Sequence, residues 1–256
     1  MRVTLDLKKT IDQNASEYFE KAKKAKKKLA GAKKALEKTK VKLTQEKEKT
    51  VVIKKKLIKQ IKKEWFEKFR WCYSSDDFLM IGGRDATTNE IVIKKYTEKN
   101  DLVFHTDMAG SPFVVIKNPD NKEIPDSTKN EAAEFTSAYS RAWKKGLATL
   151  DVFYVKPEQV SKTAKAGESL TKGAFMICGD TNYLHPEVKL AIGIYNDKIM
   201  AGPLSAIKKH CKFFVEVLPG NEKASSVAKL IRKILDASLD DIIRVLPAGG
   251  STIKKK

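Results

Sequence analysis

The sequence predicts an α+β domain, a largely antiparallel or mixed sheet with flanking helices, preceded by a long Lys-rich coiled-coil helix or helical hairpin. Three observations carry that expectation. From Tyr18 to Leu43 apolar and small residues recur at alternating steps of four and three. After Trp65 the period shortens to two, in short β-branched and aromatic runs separated by turn residues. Two later stretches return to helical spacing.

The seam of the first element is Tyr18, Ala22, Ala25, Leu29, Ala32, Leu36, Thr39 and Leu43, carried on less cleanly through Thr50, Ile53, Leu57 and Ile61. Asp12 or Asn14 is placed to cap its start. If continuous, residues 14–64 form a rod of roughly 75 Å at about 1.5 Å per residue. A break near Thr39–Thr50 would fold it back as a hairpin. The spacing agrees with either, and with a homodimer. Next come strands at 78–81, 90–96, 102–105 and 113–117, a meander with turns at Gly82-Gly83, Lys99-Asn100 and Gly110-Ser111-Pro112. Thr128 with Glu131 has the form of a capping box, and Ala132, Phe135, Ala138 or Tyr139, and Ala142 give a helix an apolar face up to Gly146. Further strands are expected at 149–155, 174–178, 191–195, 198–201 and 213–218, and a helix at 225–237. The domain division is an arm over 1–64, a globular domain over 65–250 and a basic tail over 251–256.

The 256 residues hold 51 Lys+Arg and 32 Asp+Glu, a net charge of +19. Residues 1–70 hold 24 of these bases and 9 acids, so most of the excess lies in the arm. A concentrated cationic surface suits phosphate backbones or anionic lipid better than acidic small molecules. Only six of the bases are Arg. Lys acts as a point charge, so such contacts position a polyanion and do not read its bases. No run approaches the roughly 18 apolar residues of a membrane span, and the opening MRVTLDLKKT lacks the apolar core of a signal peptide, which predicts an intracellular protein and no membrane partner. Cys72, Cys178 and Cys211 are too far apart for a CxxC site and odd in number, so they are expected to be buried thiols.

The strings WFEKFRWCYSSDDFLMIGGRDATTNEIVIKKY (65–96), DLVFHTDMAGSPFVVIKN (101–118) and VSKTAKAGESLTKGAFMICG (160–179) resemble the RNA-binding (R) domain of the NFACT family, which includes nascent-chain tailing factors of ribosome-associated quality control. LDLKKTIDQNASEYFEKAKKAKKK (5–28) is similar to the family's approach to its middle coiled coil. GPLSAIKKH (202–210) and LPAGGS (246–251) fit the C-terminal half, and WFEKFRW with the lysine bias is archaeal in type. The resemblance implies binding of tRNA and of large-ribosomal-subunit rRNA in the cytoplasm, supporting template-free C-terminal tailing of stalled chains. In tailing members an NFACT-N domain and a helix-hairpin-helix region precede the coiled coil, and the residues of this sequence resemble only the coiled coil and the R domain. The expectation is therefore a binding module, coiled coil plus R domain, with no catalytic residue, metal or cofactor.

Lys23, Lys24, Lys27 and Lys28, with Lys26, Lys33, Lys34 and Lys54–Lys56, either track rRNA phosphates or form a solvated coil face. The scarcity of acids around them favours the first. Trp65, Phe66, Phe69, Trp71 and Tyr73 alternate with Lys63, Lys68 and Arg70. They are either base-stacking platforms or anchors docking the coil on the sheet; the anchors are favoured, with Arg70 left to face RNA. Gly82-Gly83-Arg84-Asp85 is neither a GxGxxG turn nor a phosphate-binding loop of the GxxxxGK type, so it does not indicate nucleotide hydrolysis. Arg84 either meets a phosphate, pairs with Asp85 or braces the loop. His105 with Asp107 is the only chemical cluster, too small for a metal, with His185 and His210 in unrelated segments. His105 is expected to brace the fold or touch RNA. Lys94-Lys95 end a predicted strand. Arg141, Lys144 and Lys145 should point outward from a helix, and Lys162 and Lys165 belong to a loop ending at Lys172. Two other classes of function remain open: an RNA-modifying or RNA-processing enzyme using His105 and Asp107, and a coiled-coil scaffold for a protein partner such as a ubiquitin ligase or targeting factor.

Overall fold

A computed structural model describes residues 4–52, 64–163 and 170–254. The chain divides into two units, residues 1–62 and 63–256.

In the first unit, α1 (Ile11–Val52) is a single helix of 42 residues. Its cap is Thr10, not Asp12 or Asn14. The Gln13 amide donates to Thr10 Oγ1 at 3.3 Å and the Thr10 amide to Gln13 Oε1 at 3.0 Å. Asn14 instead clamps the preceding turn: its Oδ1 accepts from the Asp6 amide at 2.8 Å and its Nδ2 donates to the carbonyls of Asp6 and Thr10. Tyr18 donates to the Thr4 carbonyl. The helix passes through Thr39–Thr50 without the break a hairpin there would need. Its strong helix formers, Lys, Ala, Leu and Glu, outweigh the three Thr residues Thr39, Thr44 and Thr50. The seam positions Ile53, Leu57 and Ile61, and the lysines at 54–56, lie outside the described residues.

The second unit is built on two antiparallel sheets. The first has strands β1 (Arg70–Tyr73), β2 (Leu79–Gly82), β3 (Leu102–His105), β4 (Val114–Ile116), β5 (Val152–Val155) and β8 (Asn182–Leu184) in the order β1-β2-β4-β3-β5-β8. The second, ordered β10-β9-β11-β12, comprises β9 (Leu190–Tyr195), β10 (Lys198–Gly202), β11 (Phe214–Glu222) and β12 (Ser251–Ile253). A two-stranded ribbon pairs β6 (Val160–Ser161) with β7 (Met176–Ile177). Between the sheets runs α3 (Asp126–Ala138), touching β3, β4 and β5 of one and β9 and β10 of the other, with Ala132, Ala133, Phe135 and Ala138 wholly buried. The remaining helices are α2 (Ala86–Tyr96), α4 (Arg141–Lys145), α5 (Leu204–His210), α6 (Ala224–Leu235) and α7 (Leu239–Val245).

Several expectations change here. Residues 90–96 are the second half of α2 and not a strand, because the chain is committed to helix upstream. Asp85 Oδ1 accepts from the Thr88 amide at 2.8 Å, while Thr88 Oγ1 accepts from the Arg84 and Asp85 amides. That cap outweighs the β propensity of Ile91, Val92 and Ile93, of which only Val92 is fully buried. Asp85→Ala should lower unfolding stability by roughly 0.5–2 kcal/mol. Chemical denaturation measures this, and an unchanged midpoint would refute the cap's role.

The helix expected to run to Gly146 breaks at Tyr139-Ser140, where Ser140 caps α4 by accepting from the Ala142 amide. Arg70–Tyr73 is a strand, and Phe66, Phe69 and Trp71 are buried in the domain core, which excludes them as stacking platforms. Ser251–Ile253, assigned above to a tail, is β12. It closes the second sheet because Trp143 Nε1 donates to the Gly250 carbonyl at 3.0 Å and to Ser251 Oγ at 3.2 Å. Pro219-Gly220-Asn221 lies within β11 beside a register shift. Cys72 and Cys211 are buried, and Cys178 is exposed.

Candidate functional site

Lys23, Lys24, Lys27 and Lys28 are fully exposed on α1. Lys23 lies 3.9 Å from Glu20, while Lys24, Lys27 and Lys28 have no ion-pair partner among the described residues. The arm thus presents Lys24, Lys27 and Lys28 as cations with no carboxylate at ion-pair distance among the described residues.

On the second unit, Arg141, Lys144 and Lys145 are exposed on α4, with Ala142 and Trp143 turned into the core. Lys94 and Lys95 are exposed at the C-terminal turn of α2, where cations complement the helix dipole, and Lys94 pairs with Glu90 at 2.6 Å. Arg84 behaves otherwise. Its Nε donates to the Lys68 carbonyl at 3.2 Å, Nη2 to the Phe69 carbonyl at 2.8 Å and Nη1 to the Arg244 carbonyl at 2.9 Å. It braces three chain segments and does not pair with Asp85, whose carboxylate caps α2. Burial, then the charges of Arg70 and Arg244, lowers its pKa to about 10. Lys162 is also turned inward, donating to the Thr171 and Ala174 carbonyls at 2.9 Å each and lying 5.0 Å over the Phe175 ring. Lys165 lies outside the described residues.

Arg70, Arg84 and His105 meet at a cleft of about 490 Å³. Its walls are the β2–α2 turn, the 105–113 loop, Tyr139 at the α3–α4 corner, and residues 171–177. Each wall is pinned. Gly83 donates to the Phe113 carbonyl at 3.1 Å, and Asn89 Oδ1 accepts from the Phe113 amide at 3.1 Å. Any Cβ at Gly83 would fall 1.9 Å from that Asn89 oxygen, which is why glycine is required there. Gly173, at φ +78°, lies against the Ala86 backbone at the start of α2, where a Cβ would come within 2.7 Å. Lys162 supports the same wall from behind.

His105 packs its ring against Phe113, with centroids 4.0 Å apart, and sits 6.1 Å from Phe153. Its Nδ1 is within hydrogen-bonding distance of the Thr106 amide (2.7 Å) and carbonyl (2.6 Å). Burial pushes its pKa below the usual histidine value. Asp107 accepts from the Tyr183 hydroxyl at 3.1 Å. No hydrogen bond joins Asp107 to His105 among the described residues. No group of three or more His, Cys, Asp or Glu side chains able to hold a metal occurs among the described residues, and no helix among them is long and apolar enough to cross a membrane.

Arg70 stands apart. Its guanidinium carbon lies 4.0 Å from the centre of the Tyr139 ring, and its Nε and Nη1 are buried with no hydrogen-bond partner. Burial lowers its pKa and pushes the Tyr139 phenol up to about 12. The sequence placed Arg70 on an RNA surface but gave no sign of a cleft, because the walls come from segments up to a hundred residues apart. Lys172, at the cleft's rim, is expected from the sequence only as one of the cations of the 161–172 loop, with Lys162 and Lys165. Nothing in the sequence says that Gly83 and Asn89 hold the Phe113 backbone or that Gly173 meets the start of α2.

The NFACT protein RNA binding domain matches residues 68–179. The archaeal Rqc2 homolog aRqcH of Methanocaldococcus jannaschii is 43% identical over 212 residues, which is 80% of this chain and 31% of that protein. Ribosome quality control complex subunit NEMF of Homo sapiens is 42% identical over 68% of this chain and 16% of its own length. The chain thus spans less than a third of either relative. A solved structure, the C-terminal part of the fibronectin/fibrinogen-binding protein from Streptococcus suis, aligns with a TM-score of 0.39 at 21% identity, over 68% of this chain and 76% of that one.

Proposed function

The chain belongs to the NFACT family and contains its RNA-binding domain, and from that premise we propose that it is a non-catalytic RNA-binding portion of a ribosome quality control factor. In this reading it grips tRNA and large-subunit rRNA in the cytoplasm by electrostatic positioning, in support of nascent-chain tailing. The observation that carries the reading is the set of exposed lysines on α1, of which Lys24, Lys27 and Lys28 have no ion-pair partner among the described residues, together with the exposed Arg141, Lys144 and Lys145 on α4 of the second unit. Lys95 joins them as a backbone contact. The separation of His105 from Asp107, each held by other groups, supports binding over chemistry.

The test is tRNA affinity measured across salt concentrations. Several phosphate contacts give a steep negative slope of log affinity against log salt, about −0.7 per contact on single strands and −0.9 on duplex. Neutralising Arg141, Lys144 and Lys145 together should flatten that slope by about two units at an unchanged melting temperature, since exposed substitutions usually stay within about 0.5 kcal/mol. Full-strength binding with an unaltered slope would remove α4 from the surface. A salt-independent affinity in the parent chain would remove the reading itself.

A second reading, docking of a helical protein partner, is favoured by the apolar seam of α1, where Leu29 and Leu36 are each 58% exposed. A ubiquitin ligase, a targeting factor or a second copy of the chain would each cover it. Cross-linking from position 29 or 36 in ribosome-bound material distinguishes a protein neighbour from RNA.

A further inference from the structure

We propose that the cleft bordered by Arg70 takes one nucleotide splayed out of a single RNA strand, its phosphate on Arg70 and Lys172 and its base against His105 and Phe175. This rests on the RNA-binding reading above and adds to it a defined pocket and a ligand chemistry.

The first support is an unmet charge. A guanidinium does not deprotonate in proteins, so Arg70 is a cation wherever it is buried. A buried cation without a counter-charge is strongly unfavourable. Elsewhere the fold satisfies such groups: Asp101 receives Lys117 and the Asn118 amide, Glu131 receives the Ser75 amide and Ser205, and Arg84 has its three carbonyls. Among the described residues the only buried side-chain nitrogens or oxygens left without a partner are the two on Arg70. The Tyr139 face offsets part of that cost, and the nearby Arg84 charge adds to it. No carboxylate lies within ion-pair distance of Arg70 among the described residues. The cleft is the open side from which an anion can approach.

The second support is the shape and chemistry of the space. About 490 Å³ falls within the roughly 300–1,000 Å³ of small-molecule sites, enough for one nucleotide and too small for a duplex. Lys172 adds an exposed cation at the rim, and the partly buried rings of His105 and Phe175 line the cleft. The two carboxylates on the lining are occupied, Asp85 by the α2 cap and Asp107 by Tyr183. Splayed bases stacked on aromatic or histidine rings beside a cation are the usual way single-stranded RNA is held.

The experiment uses the full chain with Arg70→Met and Lys172→Ala. Its probes are adenosine 5′-monophosphate, adenosine and inorganic phosphate in thermal unfolding, and a ten-nucleotide single-stranded RNA and a duplex of equal length in binding. The expected result is an RNA affinity at least about tenfold weaker for the single strand in both variants, with duplex binding unchanged. Arg70→Met should also unfold at or above the parent's temperature, because an apolar side chain of similar length replaces a partly buried guanidinium whose Nε and Nη1 have no partner. A merely structural Arg70 would instead lower it. Adenosine monophosphate raising the parent's melting temperature, and neither variant's, identifies free nucleotide as a ligand. No such rise together with the tenfold RNA loss assigns the site to strand nucleotides alone. Parent-like single-strand affinity in both variants overturns the proposal, as does adenosine protecting as well as its monophosphate. If Arg70→Met does not fold, Lys172→Ala decides. A parent chain that binds neither RNA but is protected by the monophosphate would sink the RNA-binding reading and leave the pocket standing.

Discussion

Reversing Lys23, Lys24, Lys27 and Lys28 to Glu is expected to lower affinity for single-stranded RNA by about two to three orders of magnitude at about 0.1 M salt. The size follows from counterion release: each phosphate contact contributes about −0.7 to the salt slope, so four contacts amount to nearly three powers of ten there. The helix should persist. All four side chains are exposed, none is on the apolar seam, and Glu is nearly as good a helix former as Lys. Exchanging cations for anions in so basic a segment also relieves its self-repulsion. Far-ultraviolet circular dichroism with anisotropy titrations in a salt series would measure both. An affinity within a factor of three of the parent would shift weight to the protein-scaffold reading.

The largest expected loss of stability is at Trp143. Its ring is 1% exposed, and its indole nitrogen holds the start of β12 through Gly250 and Ser251. Trp143→Ala should cost about 3–5 kcal/mol from lost burial and the cavity left behind. That is a large share of the roughly 5–15 kcal/mol that keeps a domain folded. Trp143→Phe retains most of the volume but removes the indole donor shared by the Gly250 carbonyl and Ser251 Oγ, leaving that carbonyl with the Gly220 amide alone, at roughly 0.5–1.5 kcal/mol. Urea unfolding of both variants separates packing from hydrogen bonding. A loss below about 1 kcal/mol for the alanine variant would mean that β12 and Trp143 are not one cooperative unit.

Local pattern was enough wherever one element satisfied itself. The heptad spacing from Tyr18 to Leu43 foretold α1, since a helix closes its hydrogen bonds within a few residues. The alternation in Leu102–His105 and Leu190–Tyr195 foretold strands, and the apolar face at 225–237 foretold α6. Concentration of positive charge in the first seventy residues was likewise visible, because counting charges needs no coordinates. The outward direction of Arg141, Lys144 and Lys145 followed from the apolar positions Phe135, Tyr139 and Ala142.

Where two distant segments complete each other, sequence reasoning erred or stayed silent. Ile91-Val92-Ile93 has the propensity of a strand, yet the Asp85–Thr88 cap and the reach of Asn89 to Phe113 hold it as a helix. Arg84 and Lys162 have the composition of phosphate contacts, and carbonyls brought from other parts of the chain occupy them. Arg70 is the converse case. Nothing in Phe69-Arg70-Trp71 says that its guanidinium will be buried against Tyr139 without a carboxylate beside it. The sequence by itself determined the arm, its charge and the α+β class, because these depend on near neighbours and on composition. Only the tertiary structure decided which cations are free, which are braces and which one borders a cleft, because a side chain's availability depends on the hydrogen-bond acceptors that folding brings within about 3 Å of it.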